Sequence, residues 1–457
     1  MSRNVWNNSK GIQIMFEITG KYTSAKVMID DVEESCVGQI TQFVNHPAFT
    51  NPVAIMSDTH YGKGSVIGFT MPLKDKIVPN TIGVDIGCGM LSLNVGKTLN
   101  RSLEDLDVLI RSKIPFGESV HQEAVINMKN DFPWRRATTS SQNFVTHYQD
   151  TFGIVLSPQD YNIDWFMKKC ESLGDVSVRR VIDSLGSLGG GNHFIELGVS
   201  ENGDHWITIH TGSRNFGYRV CNYWQGRATK FWREDRREIL QKKMEEIKNS
   251  NLDGKVIFQQ IKDLKKEMKL DVGIDMKGCE WLEGELASGY LFDMIFAQIY
   301  AEVNREYIGK IICEILGVEP SDKIESVHNF IDFRDFIIRK GAIRSYENER
   351  FILPFNMRDG TLICTGKSNP EWNFSAPHGA GRMYSRKKAK ADLSLDKFRE
   401  QMTGIYSTSV CRGTLDESPD AYKDSKIIEE AIQPTATIVN RIKPILNMKD
   451  ATDNKKR

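Results

Sequence analysis

Residues 285–316, ELASGYLFDMIFAQIYAEVNREYIGKIICEIL, read as one long amphipathic helix. Leu291, Met294, Ile295, Ile299 and Val303 recur at helical spacing and are expected in the core, while Asn304 and Arg305 are polar residues inside an apolar stretch. The segments that could pack with it lie earlier in the chain. VAIMSD at 53–58, SVIGFTMPL at 65–73 and TIGVDIGCGMLSLNV at 81–95 are apolar and β-branched, separated by Gly, Lys and Pro, and read as strands. Asp58, Asp85 and Cys88 then fall at strand ends or in the turns after them. A further strand pair is expected at 192–199 and 205–212, joined by the hairpin signal Glu201–Asn202–Gly203–Asp204.

From about Tyr218 the character changes to polar, highly charged and helical, with Ile239, Leu240, Met244 and Ile247 expected on one face. Residues 226–270 carry 13 Lys and Arg against 8 Asp and Glu. Such a surplus suits a solvated pair of helices first, and an arm touching RNA or a partner second. The tail after Asp450, ATDNKKR, is expected to be disordered. There is no internal repeat, low-complexity tract or Pro-rich linker, so the expectation is one compact α+β unit over 1–457 with a charged helical insertion at 219–284. A monomer is expected, since no exposed heptad of sufficient length is present.

Charge excludes little. Sixty basic residues balance sixty acidic ones, so any phosphate-binding surface must be local. The first twenty residues lack the apolar core of a signal peptide, and no run approaches a membrane span of about 18 apolar residues, which makes the cytoplasm the expected location. Eight cysteines in a chain of 457 residues are no disulfide framework and leave thiols available for chemistry.

Five of the nine histidines stand beside Gly, Asn or Asp: His60 in SDTHYGKG, His193 in GGGNHFIE, His210 in HTGSRNFG, His328 in SVHNF and His378 in FSAPHGAGRMYSR. A lone histidine in a strand is usually structural, but five such contexts together are harder to dismiss. Asp85 and Cys88 lie three apart in a Gly-rich turn. An acid and a thiol from one loop, with imidazoles from elsewhere, form a ligand set for a divalent transition metal. Zinc is the first thought, yet Cys₂ or Cys₄ spacing is absent, and one thiolate could serve two metals by bridging. The 374–386 stretch has glycines for close backbone approach and Arg382 and Arg386 for phosphate.

The ordered set SDTHYGKGSVIG, VDIGCGM, GGGNHFIE, HTGSRNFG, HNF, RKGA, HGAGRMYSR and DESPDAYKD resembles the RtcB family of GTP- and manganese-dependent RNA ligases, from about residue 50 to about 450 and most weakly across the charged helices. The resemblance implies a mixed-sheet domain around a metal and nucleotide cleft. It implies two Mn²⁺ held by Asp85, Cys88, His193, His210 and His328, with Cys88 bridging. It makes His378 the nucleophile that takes GMP from GTP, a role neutral imidazole can fill near pH 7. It assigns nucleotide contacts to Asn192, Glu196, His328, Asn329, His378, Gly379, Ala380, Gly381, Tyr422 and Lys449, with Glu196 at the guanine. RNA or phosphate contacts fall to Asp58, Arg214, Lys340, Arg382 and Arg386. The implied reaction joins an RNA 3′-phosphate or 2′,3′-cyclic phosphate end to a 5′-hydroxyl through histidine–GMP and RNA-3′-pp-5′-G, in RNA repair or tRNA splicing. No membrane is involved, and the need for an activating protein partner is left open.

Departures accompany the matches. One histidine precedes Asn329 where many relatives carry two. Pro354–Phe355–Asn356–Met357–Arg358 replaces a glycine-containing loop, and Pro377 replaces a small residue. These mark a divergent branch with altered RNA choice or nucleotide affinity. Glycines at 355 and 358 are expected to change those properties more than stability. A manganese-dependent cyclic phosphodiesterase and a catalytically weakened RNA-binding or damage-sensing protein are the competing readings.

Overall fold

The computed structural model describes residues 3–6, 15–174, 177–250, 253–267 and 277–452. In chain order its strands are β1 (Arg3–Trp6), β2 (Met15–Thr19), β3 (Ser24–Val27), β4 (Val53–Ile55), β5 (Phe69–Pro72), β6 (Gly89–Gly96), β7 (Phe194–Ser200) and β8 (His205–Thr211). They continue as β9 (Asp322–Val327), β10 (Asn329–Asp332), β11 (Ile337–Lys340), β12 (Ala342–Arg344), β13 (Arg350–Pro354), β14 (Thr361–Gly366), β15 (Ser375–Pro377) and β16 (Ala436–Met448). One seven-stranded sheet runs β1-β2-β3-β4-β5-β11-β10, with β3 parallel to β4. The second runs β13-β14-β16-β7-β8-β6-β9 and is antiparallel throughout. β12 and β15 form a small ribbon. Helices pack on these sheets rather than alternating with their strands, so the class is α+β.

The long helix spans Gly284–Leu316 and ends at Gly317, whose φ of 68° is the left-handed cap that glycine accepts readily. It joins the two largest cores. Leu291, Met294, Ile295, Ile299 and Val303 are buried with Phe69, Phe144 and Phe216, while Ile308, Ile312 and Leu316 pack on Leu91, Leu93, Ile207 and Ile209 of the second sheet. Asn304 and Arg305 are fully buried and bonded: Asn304 Nδ2 donates to the Gly212 carbonyl at 3.0 Å, and Arg305 Nη1 to the Gly87 and Thr211 carbonyls at 2.7 and 3.0 Å.

The 194–211 hairpin forms as expected, with Ser200 N–H on the Asp204 carbonyl at 2.9 Å. Three expected strands are shorter, and 53–58 is strand only at Val53–Ile55. Only Phe69–Pro72 of 65–73 is strand, and 81–88 is a 3₁₀ turn and loop ahead of β6, so Asp85 and Cys88 precede a strand instead of following one. Helix runs through Arg214–Lys230, a π turn at Phe231–Asp235, Arg236–Lys248 and Gly254–Glu267. Ile239 departs from the expected face: it is 41% exposed while Leu240 is buried. Asp453 onward in the expected tail lies outside the described residues. Among the described residues, no helix is long and apolar enough to cross a membrane.

Candidate active site

Strand register assembles the site. Gly89, the first residue of β6, lies opposite Thr211 at the end of β8 and Val327 at the end of β9. Phe194, the first residue of β7, lies opposite His210. Antiparallel pairing therefore carries Asp85, Cys88, His193, His210 and His328 to one edge of the second sheet. The loop before β6 turns at Gly87, φ 73°, where a Cβ would stand 2.9 Å from the Ala301 methyl of the long helix. A side chain there would force the ligand loop off the helix.

The candidate ligand atoms converge on one another. Cys88 Sγ lies 3.3 Å from His210 Nε2 and 3.6 Å from His193 Nε2, and His210 and His328 meet Nε2 to Nε2 at 3.2 Å. The Nδ1 of His193 faces the Leu188 carbonyl at 2.9 Å and that of His210 the Asn192 carbonyl at 3.2 Å. A carbonyl only accepts, so each ring carries its hydrogen on Nδ1 and turns the Nε2 lone pair inward. His193 Nε2 then faces Asp85 Oδ2, another acceptor, at 3.0 Å. Only a proton or a cation between two such atoms makes their approach favourable. Burial, reinforced by neighbouring imidazoles, pushes His210 and His328 well below the ordinary histidine range. Burial and the Asp85 charge push the Cys88 thiol well up. The ligating atoms of Cys88–His210–His328 and of Asp85–Cys88–His193 each gather within 4.8 Å, so either group could hold a metal ion, and Cys88 belongs to both.

His378 follows β15 beside this cluster, its ring centroid 4.6 Å from that of His328. Asp58 holds it from behind. Fully buried, Asp58 accepts the His378 backbone N–H at 3.1 Å and Nδ1–H at 2.5 Å through one oxygen, Oδ2. Nε2 of His378 is thereby left as the lone-pair nitrogen. The Lys423 ammonium, on the Ser57 and Thr59 carbonyls at 3.1 and 3.3 Å, offsets the buried Asp58 charge. Gly381, φ 72°, is required here, since a Cβ would come 2.4 Å from the Asp58 carbonyl oxygen. Its service is to this backbone crossing, whereas the sequence suggested close approach to a ligand. His60 also lies alongside, its Nδ1 on the Asp58 carbonyl at 3.0 Å, and burial lowers it to about 4.

A cavity of about 480 Å³ joins His378 and the ligand cluster to Asn192, Glu196, Asn329, Gly379, Ala380, Gly381, Arg382, Arg386, Tyr422 and Lys449. Glu196 takes Thr361 Oγ1 at 3.2 Å and Asn447 Nδ2 at 2.9 Å, and burial raises its carboxyl to about 7. Glu417 ties the cations together. Its carboxylate receives Lys449 Nζ at 2.8 Å, Arg386 Nη1 at 2.6 Å, Arg382 Nη1 at 3.3 Å and Tyr422 Oη at 2.6 Å. Burial alone would raise this acid, but Lys449, Arg386 and Arg382 outweigh it and hold the carboxyl well below the usual range. Arg382 also lies 5.1 Å over the Tyr422 ring.

A family model described as tRNA-splicing ligase RtcB matches residues 39–450. The chain belongs to the RtcB family. It is 25% identical over 438 residues to the RNA-splicing ligase RtcB of Escherichia coli (strain K12), covering 92% of this chain and 95% of that protein. It is 24% identical to the tRNA-splicing ligase RtcB of Nanoarchaeum equitans, with 94% of each chain covered. The RNA-splicing ligase RtcB homolog 1 of Entamoeba histolytica is also 24% identical, over 91% of this chain and 83% of that one.

Within this RtcB-family cavity, Asp58, Lys340 and Arg214 sit differently from what the motifs suggested. Asp58 lies behind His378, with no surface for RNA. Lys340 is buried, its ammonium on the carbonyls of Lys63, Ser65 and Asn80, and burial lowers it to about 7. Arg214 binds Ser187 Oγ at 3.0 Å and the Gly117 carbonyl at 2.8 Å, away from the cavity wall. His193 also stands behind the wall, reached through Asp85 and Cys88. The Tyr422 ring carries Arg382, and its hydroxyl is engaged by Glu417. In the divergent loop Phe355 is 3% exposed and packed with Leu353 and Leu362, whereas Arg358 turns outward to Asp359 at 2.7 Å. Glu417 was not singled out from sequence. Its signal is the one glutamate of DESPDAYKD, in a chain whose cavity cations need a counter-charge.

Proposed function

We propose that this chain is an RNA ligase that uses GTP and two Mn²⁺ to join an RNA 3′-phosphate or 2′,3′-cyclic phosphate end to a 5′-hydroxyl, in RNA repair or tRNA splicing. The observation that carries this reading is the pairing of His378 with Asp58, beside a cluster of inward-turned lone pairs. Asp85, Cys88, His193, His210 and His328 would hold the metal, and manganese bound there would draw charge from a phosphate about to be attacked. His378 Nε2 attacks the α-phosphorus of GTP, the P–N bond forms and pyrophosphate leaves. As the ring gains positive charge, Asp58 stabilises it through Nδ1–H. Water opens any 2′,3′-cyclic phosphate, the 2′-oxygen leaving as a hydroxyl, and an RNA 3′-phosphate oxygen then displaces His378 from phosphorus. The 5′-hydroxyl attacks the activated 3′-phosphorus, and GMP departs. Glu196 is assigned to guanine, and Lys449, Arg382 and Arg386 to the charge of phosphates. We read 1–457 as a single ligase domain with 219–284 as a helical insertion.

Two measurements test this. Wild-type protein with radiolabelled GTP and manganese should form an acid-labile GMP adduct that His378→Ala lacks. Given RNA already carrying 3′-pp-5′-G, His378→Ala should still join it to a 5′-hydroxyl end, because that step leaves the imidazole unused. A labelled His378→Ala protein, or one that holds manganese yet cannot join the pre-activated RNA, refutes the division of labour.

A further inference from the structure

Two tyrosines stand in the cavity wall where it opens to solvent. Tyr61, in the loop between β4 and β5, is 62% exposed, and Tyr384 is half-buried. Just beyond Tyr384 begins a short helix, Arg386–Asp392, in which Arg386, Lys387, Lys388 and Lys390 are all exposed. Two of these charges are already used. Arg386 pairs with Asp416 and Glu417 at 2.8 and 2.6 Å, and Lys390 with Asp416 at 3.3 Å. Lys387 and Lys388 have no ion-pair partner among the described residues, and the Lys388 ammonium lies 5.3 Å over the Tyr384 ring.

A lysine over an aromatic ring at the cavity mouth, next to a second lysine free of ion pairs, matches the alternation of phosphate and base along a single strand. A base reaches a ring in a cavity wall only when unpaired and splayed out, which a duplex end does not permit. An acidic protein surface would satisfy the lysines but would leave both rings without a role. We propose that Tyr61, Tyr384, Lys387 and Lys388 form an entry track for the unpaired nucleotides adjoining the RNA 3′ end, with the rings stacking on bases and the lysines meeting phosphates. The inference rests on the RNA ligase reading above and adds the path by which the strand arrives.

The test is binding of a fluorescein-labelled single-stranded RNA decamer bearing a 3′-phosphate, followed by anisotropy across a salt series. GTP labelling of His378 without RNA reports separately on a folded nucleotide site. Lys387→Glu/Lys388→Glu should weaken binding on the order of tenfold and flatten the slope of log affinity against log salt by about 0.7 for each lysine. Tyr61→Leu and Tyr384→Leu should each weaken binding several-fold at unchanged slope, and Tyr384→Phe, which keeps the ring, should bind like wild type. The track is refuted if these variants label normally with GTP and bind the decamer with wild-type affinity and slope. It is also refuted if poly-glutamate competes as well as RNA of equal charge, which would make the patch a docking site for acidic protein. If the wild-type protein neither labels nor binds RNA, the ligase reading itself falls, a result distinguishable from loss of the track alone.

Discussion

Removing the Asp58 carboxylate frees the ring on which the chemistry is proposed to turn. Oδ2 of Asp58 accepts both the His378 backbone N–H and Nδ1–H, at 3.1 and 2.5 Å. A hydrogen bond to a charged group contributes roughly 1.5–3 kcal/mol. The backbone bond is unchanged as reaction proceeds and bears on stability, whereas the Nδ1 bond strengthens as the ring becomes cationic and bears on rate. Asp58→Ala should therefore slow GMP transfer to His378 by about 10- to 150-fold. In Asp58→Asn the backbone N–H of His378 keeps the amide oxygen at the Oδ2 position, so Nδ1 retains a neutral acceptor of about half the strength. That variant should lose only about four- to twelvefold. The assay is single-turnover labelling with radioactive GTP at saturating manganese, with circular dichroism and metal content confirming folded, loaded protein. Wild-type labelling by Asp58→Ala, or a greater loss in Asp58→Asn than in Asp58→Ala, would refute the reasoning.

Cys88→Ser should lose most bound manganese and nearly all adduct formation, since a hydroxyl stays protonated where a thiolate would bridge; elemental analysis after gel filtration checks it. Glu196, raised to about 7 by burial from an ordinary value of about 4.3, costs the folded state stability as pH climbs between those values. Glu196→Gln should thus gain on wild type in urea unfolding from pH 5 to pH 7 and level off above, with a plateau on the order of 3 kcal/mol. Phe355→Gly should destabilise by about 3–5 kcal/mol because the ring is core, while Arg358→Gly should change stability by less than about 0.5 kcal/mol, both read by denaturant melts. Phe355 also lines the cavity, so Phe355→Gly bears on nucleotide affinity as well as on stability.

Legibility followed from how locally a feature is encoded. The long helix and the 194–211 hairpin carry their own period and turn chemistry, and their bounds lay within two residues of the structure. Residue type pointed to an acid, a thiol and imidazoles, and the family resemblance picked out Asp85, Cys88, His193, His210 and His328, but what brings them together is the order β7-β8-β6-β9. Its β8-β6 and β6-β9 pairings join positions more than a hundred residues apart and leave no trace in any one segment. Asp58 and His378 are separated by 320 positions. Nothing near Asp58 says that its partner is an imidazole rather than RNA. Lys340 misleads for a related reason. Beside a glycine it looks like a phosphate contact, yet a lysine in a strand buried along its length must find oxygen nearby, and three carbonyls supply it. Ile239 faces solvent because Leu240 takes the inward position on the same turn.

Asn304 and Arg305 give the long helix a property that its apolar residues cannot. A purely greasy helix face is forgiving: a slip of one residue, which turns it by about 100°, exchanges one set of methyl contacts for another of similar worth. Here the two polar side chains act as an indexing peg. Arg305 reaches the carbonyls of Gly87 and Thr211, on the loop before Cys88 and the strand end after His210, and Asn304 reaches Gly212. Any other rotation would bury a guanidinium with no acceptor, a cost of several kcal/mol. The helix is thereby held in a single alignment, and the spacing between the cysteine and histidine arms of the cluster is gauged from inside the protein, by residues that never touch a substrate.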